Sequence, residues 1–140
     1  MLVLNPRRVT FAGEAWGEVV SVVVDRQAVK LVESFGDAGP HCVLVDAVEQ
    51  RVAVTVVQQL ARGEVPDVPR PGDAGELVFA YAAAGGSGRK VRVAVSAVVI
   101  GVSHGVGLKQ GATRTVTFRG VSSDGGAGDP VSVSEDATGD

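Results

Sequence analysis

From Glu76 to His104 the chain reads ELVFAYAAAGGSGRKVRVAVSAVVIGVSH, a pattern that a long β-hairpin satisfies. In its first arm Leu77, Phe79 and Tyr81 alternate with Val78, Ala80 and Ala82, and Gly85, Gly86, Ser87 and Gly88 supply a permissive turn. The second arm begins one-sided, with Val91, Val93 and Val95 opposite Lys90, Arg92 and Ser96. From Ala97 to Ile100 both faces turn apolar, as expected of a strand covered on both sides. A strand from Arg89 to His104 would span about 50 Å, whereas a compact chain of this size is about 37 Å across. The strand therefore bends back at Gly101, as glycines allow at bulges and barrel corners, or runs out to meet a neighbouring subunit.

The rest of the chain must supply the cover. Its 140 residues suit one domain, and its 45% apolar share is ample for a core. Thirty valines, 19 glycines and only 4% aromatics favour strands and turns over helices, so the expected fold is mainly all-β. The formal net charge of -3 lies in the tail. The last twenty residues hold Asp124, Asp129, Glu135, Asp136 and Asp140 without a base, leaving residues 1–120 at +2. A body so near neutral lacks the basic footprint of a tight duplex binder. No apolar run reaches the roughly 18 residues needed to cross a bilayer, so no membrane partner is expected. With Cys42 as the single cysteine, no intramolecular disulfide can form. The start MLVLNPRRVTF lacks a secretory apolar region, and synthesis in the cytoplasm is the expectation.

Along the chain, residues 1–16 read as an arm in which Pro6 interrupts any central ladder and Phe11 and Trp16 are anchors. A strand follows from Glu18 to Arg26, apolar on nearly both sides. Ala28 to Phe35 fits a short helix and a strand equally, and GDAGP at Gly36 to Pro40 breaks the chain. A helical turn around Asp46 to Gln50 precedes Val52, Val54 and Val56 at strict alternation. Residues 61–75, with Pro66, Pro69 and Pro71, read as a long solvated loop, and loops of that length are commonly functional. Ala112 to Val121 alternates again, with Thr113, Thr115, Thr117 and Arg119 on a wet face and Val116 and Phe118 on the other. Residues 122–140 form a polar, acidic tail, expected to be mobile unless a neighbour pins Val131 and Val133.

Enzyme-like strings fail on context. Gly101-Val102-Ser103-His104-Gly105 matches G-x-S-x-G, but that elbow needs a helix after the serine and an acid and a histidine later in the chain. GGSGRK resembles a phosphate loop, yet Arg89 stands where glycine is required and a strand follows. His41, Cys42 and His104 lack the paired spacings of a zinc site. Asp46 and Glu49 share a face of a helical turn, a spacing that commonly serves a neighbouring arginine or a cap. Arg114 and Arg119 suit phosphate contact, although a solvated strand face is the simpler reading. No catalytic residue, cofactor or metal is expected.

Three strings together, VVVDRQ at Val22 to Gln27, DAVEQRVAVTV at Asp46 to Val56 and TRTVTFRGVSSDGGAGDPV at Thr113 to Val131, resemble the tail tube proteins of tailed bacteriophages, in the compact form used by relatives with contractile tails. The resemblance runs over most of the chain. It implies a small β-sandwich or barrel with one short flanking α-helix, assembling into hexameric rings that stack into a hollow conduit for DNA. The protein would be a structural component of the virion tail, active in genome ejection. Its partners would be itself and the tail sheath, tape measure, baseplate and tail terminator proteins, and DNA would pass without specific binding. Within that frame Thr113, Thr115, Thr117 and Arg119 are candidates to face the lumen, since neutral hydroxyls do not grip phosphates. Glu64, Asp67, Arg70 and Asp73 in the long loop are candidates to bridge one ring to the next. The acidic end of the tail departs from the family pattern. A type VI secretion-like tube subunit would share fold and ring, and a monomeric β-sandwich binding module would carry a recognisable pocket instead.

Overall fold

The computed structural model describes residues 2–61, 66–82, 90–107, 111–123, 125, 126 and 128–136. Nine strands form in chain order: β1 (Leu2–Leu4), β2 (Arg7–Phe11), β3 (Glu14–Ala15), β4 (Val19–Phe35), β5 (Cys42–Leu60), β6 (Ala74–Ala82), β7 (Lys90–Gly107), β8 (Gly111–Gly120) and β9 (Val131–Asp136). The protein is all-β, and no helix occurs among the described residues. Ala28–Phe35 and Asp46–Gln50, where a helical turn was an option, are instead the continuations of β4 and β5. The two stretches pair with each other, which satisfies backbone groups that a single helical turn would leave open.

All strands belong to one antiparallel sheet in the order β1-β4-β5-β8-β7-β6-β2-β3, with β9 paired to β7 beside that path. Alternation decides which face is buried. Val52, Val54 and Val56 of β5, Val93, Val95 and Val99 of β7, and Val116 and Phe118 of β8 all point inward. Their inward faces join Val9 and Phe11 of β2 and Leu77 and Phe79 of β6 in one cluster. On a flat sheet β2 would lie three strand spacings, about 14 Å, from β8. The Phe11 and Phe118 rings are nonetheless 5.0 Å apart, so the sheet curls over and packs its inner face on itself. The curl stays open, with β1 at one end of the path and β2–β3 at the other.

The length of β7 is accommodated in the first of the two expected ways, by a bend at Gly101. Its first half lies between β6 and β9, β6 ends opposite Val98, the second half pairs with β8 alone among the described strands, and the register with β8 shifts between Val99 and Gly101. A bulge there bends the strand over the core, and beyond it residues 103–107 are exposed. Two glycines hold close approaches. A Cβ on Gly75 would stand 2.9 Å from the Ala12 Cβ, and one on Gly120 would stand 3.0 Å from the Val52 Cβ.

Candidate functional site

The outer face of the sheet at β8 is rich in hydroxyls. Thr113, Thr115 and Thr117 are half-buried and Arg119 is exposed, all opposite the inward Val116 and Phe118. The register extends this face over three more strands, because Ser21 pairs with Val57, Val57 with Thr115 and Thr115 with Ser103. In the next row Val23, Thr55, Thr117 and Gly101 stand side by side. Charge enters only in the following row, where Asp25 and Arg119 flank Ala53. Such a surface holds water without a strong field of either sign.

Arg114 departs from expectation. In place of a solvated strand face it occupies the inward side of β8, 3% exposed, because positions 114, 116 and 118 share one parity. Its guanidinium lies 4.6 Å from the centre of the Trp16 ring, and it donates to the Val68 carbonyl at 2.9 Å and to the Gln58 side-chain oxygen. Gln58 in turn donates to the Gly17 carbonyl at 2.7 Å. Burial pushes the guanidinium below its ordinary pKa. Arg114 is therefore an internal tie and offers no phosphate contact.

The described part of the long loop, residues 66–73, is stitched to its own subunit. Val68 accepts from Arg114, Gly72 N–H donates to the Val99 carbonyl at 2.8 Å, and Val99 N–H donates to the Asp73 carbonyl at 2.8 Å. Asp67 and Arg70 are exposed and pair with each other at 2.7 Å, and the hydrogen bond and charge of Arg70 hold the Asp67 carboxyl below the usual range. The Asp73 carboxylate accepts the Arg70 N–H at 2.9 Å. Glu64 lies outside the described residues, as do the turn glycines Gly85, Gly86 and Gly88.

The tail is pinned by its own chain in place of a neighbour. β9 pairs with β7 from Lys90 to Val95, and Val131 enters the core. Asp129 at its entrance is held by both Arg26 guanidinium nitrogens, at 2.9 and 3.1 Å. Ser103 and His104 are neighbours on the exposed end of β7 and not a strand-to-helix elbow. No group of three or more His, Cys, Asp or Glu residues able to hold a metal occurs among the described residues.

The largest feature is one that neither periodicity nor spacing singled out. β4 and β5 run on together beyond the core as a two-stranded arm from Gln27 to Gln50, on which every described residue but Ala47 is exposed. Val29, Leu31, Val32, Phe35, Val43, Leu44, Val45 and Val48 are each 47 to 73% exposed. Register shifts around Lys30 mark facing bulges, which twist the ribbon and re-aim its side chains. Among the described residues, neither Arg26–Phe35 nor Cys42–Val52 has a further strand on its outer edge. An isolated ribbon of this kind is marginal in water, and exposed edges invite pairing.

No family model matches this chain, and no curated protein gives a significant match.

Proposed function

We propose that this protein is a structural tube subunit, of the kind found in phage tails, which closes with its own copies into hexameric rings that stack around a hollow conduit for DNA. The arm carries the reading. It exposes eight large apolar side chains and two open strand edges, and each such side chain stabilises an assembly by about 1.5–3 kcal/mol when fully buried. Because these side chains are already about half covered, the arm offers roughly 7–13 kcal/mol, of the same order as the cost of association, about 4–15 kcal/mol, and pairing of the open edges adds to it. The hydroxyl face at Thr55, Thr113, Thr115 and Thr117 supports the conduit half of the proposal, since a lumen of this character passes a polyanion without holding it. The work of such a subunit is mechanical, with sheath, tape measure, baseplate and terminator proteins as its outer partners.

Light scattering of the purified full chain, followed by negative-stain microscopy, tests the proposal. The expected result is annular particles of six subunits and tubes built from them. A monomer at every concentration would reject it and favour a free-standing binding module. Rings that cross a bacterial envelope with protein cargo, in place of virion tails filled with DNA, would move the protein to a secretion tube.

A further inference from the structure

The sheet has a second open place besides the arm. β1 pairs with β4 through Leu2–Leu4 and is the last strand of its side. Because Val3 turns into the core, Leu2 and Leu4 turn out, and they are 61% and 67% exposed. Between β1 and the Tyr81 end of β6 lies a groove of about 420 Å³ lined by Leu2, Leu4, Asn5, Arg7 and Tyr81. Among the described residues no carboxylate lines it, and Arg7 brings a positive charge.

We infer that this groove receives the arm tip of a second copy of the chain, with the free edge of β1 pairing to the free edge of the arm. The inference rests on the self-assembly part of the function proposed above. Three properties match. The arm edge offers unpaired backbone groups of the kind that add a strand to an open sheet. Phe35, Val43 and Leu44 at the tip are apolar and exposed, as Leu2 and Leu4 are. The arm from Gln27 to Gln50 holds Glu33, Asp37, Asp46 and Glu49 against Lys30, a net charge of -3 with His41 neutral, facing Arg7 in the groove.

A subunit cannot fill its own groove. β1 covers β4 at Ser21–Val23, and the strand then runs twelve residues further to Phe35, about 40 Å away at the ordinary rise. Tip and groove are thus different surfaces of one molecule, and a contact between them is head-to-tail, which propagates into a ring or a filament.

Cys42 stands beside the tip, paired in register with Phe35, and serves as a built-in probe. Full-length Leu4→Cys protein, treated with a short bismaleimide, is expected to give a ladder of covalent trimers and longer chains on a denaturing gel, because each subunit then links two neighbours. The ladder should be lost in Leu4→Cys/Cys42→Ser and absent in Val133→Cys, which places a thiol on exposed β9. Dimers alone from Leu4→Cys, or an equal ladder from Val133→Cys, would overturn the assignment. If light scattering still reports large particles in that case, self-assembly stands and only the groove assignment fails. A monomer without a ladder would reject both.

Discussion

The Arg114 guanidinium lies over the Trp16 ring at 4.6 Å, and no carboxylate pairs with it among the described residues. Trp16, Gln58, Val68 and Arg114 thereby join the segment after β3, strand β5, the proline loop and strand β8 in one knot around the buried Gln58 and Arg114. The cation is held by a ring face and neutral oxygens, and its Nε has no hydrogen-bond partner among the described residues. Burying a charge in this way is costly unless every polar neighbour stays satisfied.

Arg114→Ala is expected to cost about 2–5 kcal/mol, because it opens a cavity beside Trp16 and strands the Gln58 oxygen. Arg114→Met combined with Gln58→Leu keeps the volume and removes charge and acceptor together, so it should recover most of that loss. Urea midpoints of the two variants check the order, and a double variant no better than Arg114→Ala would show that the charge itself is needed.

Phe118 is fully buried and touches Phe11 and Trp16 by ring contacts of 5.0 and 6.0 Å. Phe118→Ala should cost about 3–5 kcal/mol, whereas Thr115→Ser on the outer face should leave the thermal midpoint unchanged. The reverse ranking would mean that the two faces of β8 had been exchanged.

Both faces of β8 were legible in the sequence because its alternation is strict, and so was Val52–Val54–Val56. The position of Arg114 was legible too, by parity with Val116 and Phe118, but a lone cation in TRTVTF reads first as a solvated residue. The arm escaped for a different reason. With apolar side chains on both of its faces, Ala28–Phe35 has no two-residue period to detect, and its exposure depends on a curl of the sheet that no local pattern encodes. β9 is a short alternation in a glycine-rich tail, and only the open edge of β7 makes it a strand. The register runs from Lys90 opposite Asp136 to Val95 opposite Val131.

Lowering the pH should loosen β9 before the body unfolds. Hydrogen bonds from Arg26 and from the Val131 N–H hold the Asp129 carboxyl below its ordinary value of 3.8. Its contribution is therefore complete above that value and is lost as pH falls through the lower, folded one. Since Arg26 and Asp129 are about half exposed, the effect is modest. Amide protection of Arg92–Val95, corrected for intrinsic exchange, should fall at pH 3 relative to pH 6. Asp129→Asn should lower it at pH 6 and flatten the difference, and protection indifferent to both changes would rule out this latch.

The loop charges allow folding and assembly to be separated. Asp67 and Arg70 are exposed and bind chiefly each other, so the pair contributes little to stability. Asp73 differs, because its carboxylate closes the turn on the Arg70 N–H and its carbonyl accepts from Val99. Replacing Asp67 and Arg70 together by Ala should therefore shift stability by less than about 0.5 kcal/mol, while Asp73→Ala should cost about 1 kcal/mol through the lost hydrogen bond. If these charges bridge stacked rings, the Asp67→Ala/Arg70→Ala protein will melt like the parent and form rings, yet fail to build long tubes. Tubes of parental length under the microscope would remove the loop from the stacking contact and leave that role to the arm.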